Sequence, residues 1–375
     1  MSSLYIHIPF CKTRCIYCGF YSTTYDSIQN DYVRSLCSEM DLRHDYLPSA
    51  DINTIYLGGG TPSQLTPENL EKLFSYIYKV YNVAEDAEIT MECNPDDITP
   101  DYARVLGSLP VNRVSMGAQT FSDERLKFIR RRHNAAEVHT AVDLLRRNGI
   151  GNISIDLMFG FPGETADSWH SDITEALKLD VEHISAYSLM FEEGTPLYKM
   201  LEDGKVEEAD EELSLRMYED LITTLTENGY EHYEISNFAR HGRESQHNSA
   251  YWEDIPYIGL GAAAHSYNRK TRQWNVSDVK KYISSISAGE VPFESEEIDL
   301  FTAYNDAITT MLRMRNGIDL VRFKERFGIE LHDYLLRNAK NSIAAGHLVN
   351  ENNHLHLTRS GIFISNDVMS DLIYI

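Results

Sequence analysis

Over the first 240 residues, short strand-like runs alternate regularly with helix-like stretches. The helix-like stretches open on cap signals such as Thr66-Pro67 and end at glycines such as Gly149. Alternation at this spacing predicts parallel βαβ units, and six units predict an α/β fold built as a partial (β/α)6, TIM-like barrel. The six apolar, β-branched runs lie at 4–9, 54–57, 88–92, 113–116, 153–158 and 183–189.

The pattern changes near residue 276, where helices predominate and a hairpin follows them. A turn-like segment at Asn350–Asn353 separates the two short runs of this hairpin. Helices followed by a hairpin predict a winged-helix-like C-terminal domain over 276–375. The barrel then occupies 1–240, and 241–275 connects the two. The helical patterns lie at 278–288, 299–313, 320–327 and 331–346.

The charge of the chain excludes one class of function. It has 34 Lys and Arg against 57 Asp and Glu, which gives a net charge of −23. The segment Val291–Ile375 is also acidic, with 8 basic and 12 acidic residues. Such a surface repels phosphates, so we expect no nucleic acid partner and interpret the C-terminal domain as a packing or protein-contact module.

Hydropathy predicts where the protein resides. No stretch approaches the roughly 18–20 apolar residues that a transmembrane helix needs. The residues after Met1 lack the basic and long apolar regions of a secretory signal. We therefore expect a cytoplasmic protein without a transmembrane segment.

Three of the five cysteines are crowded directly after the first strand-like run. Cys11, Cys15 and Cys18 form a C-x3-C-x2-C pattern, while Cys37 and Cys93 are isolated. Thiolates suit zinc or an iron–sulfur cluster. A structural zinc needs a fourth ligand, and the nearby His7 lies within a strand pattern. Three cysteines on a [4Fe–4S] cube leave one iron open for another ligand, which favours a reactive cluster over a zinc knuckle.

Polar residues stand near the ends of the next four strand-like runs. Gly58–Pro62 follows the second run, Glu92 ends the third, Gln119 ends the fourth and Asp156 lies in the fifth. Glycines let the backbone approach a ligand closely. Because barrel enzymes build their sites at the carboxyl ends of the strands, these residues outline a site beside the cysteines.

The cysteine pattern at the end of a first β-strand resembles that of the radical S-adenosylmethionine (SAM) superfamily. In that superfamily the open iron of the [4Fe–4S] cluster binds the amino and carboxylate groups of SAM. Reduction of the cluster then cleaves SAM to a 5′-deoxyadenosyl radical. The resemblance implies that Cys11, Cys15 and Cys18 hold the cluster. The residues that it implies for SAM binding are Tyr5, Gly59, Gly60, Thr61, Glu92, Gln119, Arg131 and Asp156.

Nearly the whole chain is similar to one branch of this superfamily, which contains coproporphyrinogen III dehydrogenase (HemN) and the HemW heme chaperones. The dehydrogenase carries a fourth cysteine two positions after the triplet, where this chain has Phe20. It also carries an N-terminal extension before the cluster, whereas Cys11 here lies almost at the start of the sequence. Both departures disfavour dehydrogenase activity in porphyrin biosynthesis, which stays as the alternative. The segments that carry the similarity are 4–11, 58–62, 115–119 and 156–162.

The HemW chaperones have phenylalanine at that position and an H-N-x-x-Y-W motif, which here runs from His247 to Trp252. Histidine can ligate heme iron, and Tyr251 and Trp252 offer flat faces to a macrocycle. His247 is therefore a candidate axial heme ligand, with a packed loop histidine as the alternative. His265 is a further candidate for lining the same cavity.

The resemblance predicts a heme chaperone that transfers heme to an acceptor hemoprotein, for example a respiratory-chain component. A reductant protein would serve the cluster. No catalytic residue is assigned, and cleavage of SAM stays open.

Overall fold

A computed structural model describes residues 2–49 and 51–375. Its centre is a run of six parallel strands in which each strand pairs with the next along the chain. This arrangement confirms the six predicted βα units. The strands are β1 Ser3–Ile8, β2 Asp51–Gly59, β3 Asn82–Cys93, β4 Arg113–Gln119, β5 Asn152–Phe159 and β6 His183–Ser188.

Helices cover the outer face of this sheet. Successive side chains of a strand point to opposite faces, so Leu4, Ile6 and Ile8 lie in the core between sheet and helices, whereas Tyr5 and His7 lie on the inner face. The helices are α1 Gln29–Leu42, α2 Pro67–Val80, α3 Pro100–Ser108, α4 Asp123–Phe128, α5 Ala135–Arg147, α6 Ala166–Lys178, α7 Pro196–Glu202 and α8 Glu211–Glu227.

Further strands extend the sheet at both ends to twelve among the described residues. At one end β8 pairs antiparallel with β6, and at the other β9 pairs parallel with β1. These elements are β7 Glu231–Glu234, β8 Asn237–Ala239, helix α9 Gln246–Trp252, β9 Tyr257–Leu260, β10 His265–Tyr267, β11 Thr271–Asn275 and, after a further helix, β12 Phe293–Glu297. The structure thus differs from the predicted connecting segment over 241–275, because those residues supply three strands of the main sheet.

The helix α10, Val279–Ser287, also belongs to the barrel, because its buried side chains share the barrel's core. A separate core lies beyond it. The helix α12 is interrupted at Gly328, where φ is 80°, and this break separates the two helices predicted there. The elements of this domain are α11 Leu300–Met311, β13 Ile318–Asp319, α12 Leu320–Ala344, β14 Leu348–Glu351, β15 His354–Leu357, α13 Arg359–Phe363 and α14 Ser365–Leu372.

The order of helices followed by the β14–β15 hairpin agrees with the predicted winged-helix-like domain. Within the described part of the chain, no helix combines the length and the apolar composition that crossing a bilayer requires.

Candidate cofactor site and the adjoining cavity

The cysteine triplet lies on a loop between β1 and α1 that is fixed at its base and in its middle. At the base, the backbone N–H of Cys11 donates to the carbonyl of Thr23 over 2.9 Å. In the middle, Ile16 is buried in a small apolar cluster with Ile129 and Phe161. The loop therefore holds the thiols at the carboxyl edge of the parallel strands.

The three thiols line one cavity together with most of the predicted SAM residues, and we name it the cluster cavity. Among the described residues, no group of three or more His, Cys, Asp or Glu side chains converges tightly enough for a single metal ion. A cubane offers each thiolate its own iron, so its cysteines need not converge on one point. The lining of one cavity by all three thiols therefore fits such a cluster. The predicted residues on this cavity are Gly59, Gly60, Thr61, Glu92, Gln119, Arg131 and Asp156.

The glycine turn after β2 packs directly on the start of the cysteine loop. Gly59 has a φ of 109°, and Gly60 donates its N–H to the carbonyl of Ile8 over 2.8 Å. A Cβ on Gly60 would lie only 2.9 Å from that same oxygen. Thr61 Oγ1 then stands 3.5 Å from Cys11 Sγ. Glycine is needed here because the backbone must pass close to the cluster loop.

Two carboxyl groups face the cluster cavity from neighbouring parts of the sheet. Glu92 accepts hydrogen bonds from the hydroxyl of Tyr56 at 2.8 Å and the N–H of Gly59 at 3.2 Å. Burial, together with the charge of Asp156, raises the pKa of Glu92 to about 7. Burial also raises the pKa of Asp156 to about 6. Two confined carboxyl groups with these properties suit a cationic ligand such as the sulfonium of SAM.

Two of the three adjacent arginines, Arg131 and Arg132, have different partners. Arg131 donates to the carbonyl of Gly117, and its Nη1 lies 3.9 Å from Cys15 Sγ. Its buried Nε has no hydrogen-bond partner. Arg132 instead pairs with Asp96 at 2.7 Å and with Asp97 at 2.9 Å. Arg131 is thus the one of these two whose guanidinium contacts a cysteine of the triplet, where its positive charge would suit a thiolate-bound cluster.

A second, larger cavity of about 700 Å³ adjoins the first, and Phe20 lines both. We name it the aromatic cavity. Tyr5, implied by the resemblance as a SAM contact, lines this cavity and is not among the residues that line the cluster cavity. Its hydroxyl pairs with Nδ1 of His7 at 3.0 Å, and Nε2 of His7 donates to the carbonyl of Tyr21 at 3.1 Å. These bonds fix the Tyr5 hydroxyl beside His7, and the Tyr5 ring stacks on that of Tyr56 at 6.2 Å.

His247 is fully buried behind the wall of the aromatic cavity. Its Nδ1 pairs with Thr54 Oγ1 at 2.8 Å and its Nε2 with the Tyr251 hydroxyl at 2.9 Å. Its ring stacks on Tyr56 at 5.0 Å, and burial lowers its pKa to about 3. Both nitrogens are occupied in this conformation, so the geometry corresponds to the packed-histidine alternative. It differs from that alternative in one respect, because the motif forms helix α9 with Ser245 as its cap and not a loop.

The other aromatic members of the motif do face the aromatic cavity. Tyr251 and Trp252 line it from α9, as the HemW resemblance implies. Sequence reasoning missed Tyr257, Tyr267 and Arg272, which line it from β9, β10 and β11. No periodic pattern marks these residues, because each stands in a strand of five residues or fewer.

A buried ion pair on the other side of the sheet supports this wall. Arg43 at the end of α1 pairs with Glu39 at 3.1 Å and donates to the carbonyl of Gly259 at 2.9 Å. Glu39 accepts from the N–H of Gly261 at 2.8 Å and from the hydroxyl of Tyr282 at 2.6 Å. The β9–β10 turn is therefore tied to both α1 and α10.

Comparisons with known proteins agree with this geometry. The model of the radical SAM superfamily matches residues 5–176, and that of the HemN C-terminal domain matches residues 299–364. The heme chaperone HemW of Bacillus subtilis is 37% identical over 371 residues, which cover 98% of each chain. This chain belongs to the HemW family. The heme chaperone HemW of Lactococcus lactis is 33% identical over 98% of this chain and 96% of its own length.

A solved structure supports the fold of this HemW family member. Coproporphyrinogen III oxidase (HemN) from Escherichia coli, described as a radical SAM enzyme, matches with a TM-score of 0.85 at 20% identity. The match covers 99% of this chain and 89% of that one, and it confirms the partial barrel with its C-terminal helical domain. The superfamily implies a [4Fe–4S] cluster and SAM as cofactors, and the thiols, carboxyl groups and Arg131 of the cluster cavity fit both.

Proposed function

We propose that this protein is a heme chaperone that binds heme in the aromatic cavity and transfers it to an acceptor hemoprotein. The observation that carries the proposal is the position of this cavity, which shares the Phe20 wall with the cluster cavity. Its volume of about 700 Å³ lies within the range of roughly 300–1,000 Å³ typical of sites for organic ligands. The names of the HemW relatives support the same function.

Within this proposal, the residues of the cluster cavity have distinct tasks. Cys11, Cys15 and Cys18 would hold the cluster, and Glu92 and Asp156 would attract the cationic cofactor. A bound, reduced cluster supplies the electron that cleaves SAM in this superfamily. A reductant protein that delivers this electron is part of the proposal, as is the acceptor.

Phe20 separates the chaperone from the alternative dehydrogenase. It occupies the position where the resemblance implies a fourth cysteine in the dehydrogenase, and 71% of its side chain is exposed between the two cavities. An exposed aromatic ring can pack on the face of a macrocycle, whereas it supplies no thiol for redox chemistry.

The test uses the full chain with its cluster reconstituted without oxygen. Hemin is titrated, excess hemin is removed by gel filtration, and coproporphyrinogen III is supplied with SAM and reductant in a parallel assay. We expect one heme retained per chain and no release of carbon dioxide. Conversion of coproporphyrinogen III without heme retention would contradict the proposed chaperone function and support dehydrogenase activity.

A matched pair of variants localises the heme. Phe20→Ala removes a ring from the shared wall and is expected to weaken heme retention about tenfold, equal to about 1.4 kcal/mol. Tyr25→Ala removes a similarly exposed ring, 59% accessible, that lies outside both cavities, and retention should stay at the wild-type level. Equal heme retention by both variants would show that heme does not bind against Phe20.

A further inference from the structure

Histidine is the strongest candidate iron ligand in the aromatic cavity, and two histidines line it: His7 and His265. Both ring nitrogens of His7 are hydrogen-bonded, Nδ1 to the Tyr5 hydroxyl and Nε2 to the Tyr21 carbonyl. A metal would have to break one of these bonds. His247 lies behind the wall and is committed in the same way to Thr54 and Tyr251.

His265 differs from both. Among the described residues, no group hydrogen-bonds to either of its ring nitrogens, and its side chain is exposed to the cavity at the first residue of β10. The ring stacks on Trp274, its cross-strand neighbour on β11, with centroids 6.1 Å apart and planes at 27°. The imidazole is thus held by packing while its nitrogens are free.

The backbone beneath His265 is also held firmly. A Cβ on Gly259 would lie 2.0 Å from the carbonyl oxygen of His265, so β9 and β10 approach as closely as only glycine allows. Ser266, the next residue, accepts from the N–H of Gly259 at 2.9 Å. A ligand built on paired strands is positioned more accurately than one on a mobile loop.

The protonation state suits metal binding. Partial burial and the charge of Arg272 lower the pKa of His265. The neutral imidazole is the form that binds iron, so no proton has to be displaced near neutral pH.

We infer that His265 is the protein ligand to the iron of a heme bound in the aromatic cavity. This inference rests on the proposed function and names the residue through which the chain holds its cargo. The neighbouring rings of Tyr257 and Trp252 on the same cavity provide flat apolar surface for the macrocycle. His247 then acts as a positioning residue, because its bond to the Tyr251 hydroxyl fixes a ring of the cavity wall.

Hemin titration of His265→Ala tests this assignment. The full chain with its reconstituted cluster is used, and the Soret band, the electron paramagnetic resonance of the ferric heme and the dissociation constant are recorded. We expect a shifted Soret band and binding weaker by about tenfold or more. Added imidazole should restore the wild-type spectrum, which a purely structural role would not do.

Two further variants keep the outcome decisive. His265→Met exchanges the imidazole for a thioether, so it is expected to move the Soret band while retaining heme. His241→Ala removes a histidine whose side chain is 93% exposed outside the cavity, and its spectrum should match the wild type. Iron content and thermal unfolding verify that each variant is folded.

The possible failures are distinguishable. Wild-type protein that retains no heme would overturn the proposed function together with the inference. Wild-type protein that retains heme, with an unchanged spectrum and affinity in His265→Ala, would overturn only the inference. A lost heme spectrum in His247→Ala alone, with the fold intact, would assign the iron to His247 after a rearrangement of α9.

Discussion

The two cavities that share Phe20 are built in opposite ways. The cluster cavity is polar, and its predicted residues lie at strand ends and loops between Cys11 and Asp156. The aromatic cavity draws its residues from β1, from β9 to β11, from α9 and from α11, between Tyr5 and Thr310. One cavity therefore depends on consecutive βα units, whereas the other depends on pairing between distant parts of the chain.

The largest effect is expected from a change that removes one cavity's function and spares the other's. Cys15→Ala deletes one of three cluster ligands, so we expect loss of the iron–sulfur absorption band and most of the bound iron. Hemin retention should stay at the wild-type stoichiometry, because Cys15 does not line the aromatic cavity. Iron analysis and gel filtration with hemin measure both quantities.

The control for this change is Cys37→Ala. Cys37 is buried in α1 and lines neither cavity, so the cluster should form normally. A Cys15 variant that loses heme as well would show that the two cavities are not independent.

The second largest effect is expected from breaking the buried ion pair between Arg43 and Glu39 behind the aromatic cavity. Glu39→Ala leaves Arg43 buried without its partner, which is expected to lower the free energy of unfolding by about 3–5 kcal/mol. Denaturant unfolding measures this loss, and hemin retention should fall with it because the β9–β10 turn loses its anchor. Arg34→Ala on the same helix removes an exposed pair with Asp31, worth less than about 1 kcal/mol. Similar losses in both variants would contradict a supporting role for Glu39.

A moderate effect is expected at the carboxyl groups of the cluster cavity. Glu92→Gln removes a negative charge beside the cationic cofactor and should weaken SAM binding about tenfold without changing heme binding. Because the pKa of Glu92 is raised to about 7, its charge is lost on acidification. Wild-type affinity for SAM should therefore fall between about pH 8 and pH 6, and the variant should show a flatter profile.

Equilibrium dialysis without oxygen measures this profile. Glu290→Gln, an exposed carboxyl group outside both cavities, serves as the control. Parallel pH profiles for wild type and Glu92→Gln would assign the titration to another group.

The smallest effect concerns stability and pH. Burial lowers the pKa of His247 to about 3. Below its ordinary pKa of about 6.5, this histidine therefore binds a proton in the unfolded chain but not in the folded chain. This residue therefore makes the protein less stable as pH falls from about 6.5 toward 3, by at most about 1.4 kcal/mol per pH unit. When the pH falls from about 7.5 to about 5, the free energy of unfolding of His247→Gln should decrease by about 1–2 kcal/mol less than that of the wild type.

Urea unfolding at the two pH values gives the difference between the two proteins. Comparing the differences cancels the contributions of His7, whose pKa is also lowered, and of Glu92, whose raised pKa acts in the opposite direction. Equal losses in wild type and variant would show that His247 is not held neutral.

What the sequence could predict follows from the contrast between the cavities. Glu92 and Asp156 stand on strong parallel strands, and the cysteine spacing carries its own chemistry, so the cluster cavity could be outlined beforehand. The alternation of strands and helices also predicted the six parallel strands. Local patterns suffice where a site is built from consecutive strand ends.

The rest depended on tertiary pairing. The strands β9 to β11 are only three to five residues long, so their pattern is too short to distinguish them from a connecting segment. Arg131 contacts Cys15 and the carbonyl of Gly117. A run of three adjacent arginines does not show which of them makes these contacts. The commitment of both His247 nitrogens depends on Thr54, a residue 193 positions away.

The pairing of β1 with β9 also sets an order of events during synthesis. Every predicted residue of the cluster cavity has been made once the ribosome has passed Asp156, whereas the aromatic cavity must wait for β9 at Tyr257–Leu260 and for Thr310 on α11. Domains fold from the N-terminus during translation, and pairings between distant segments form late. A nascent chain therefore contains every predicted residue of the cluster cavity before the last residues of the aromatic cavity have been made.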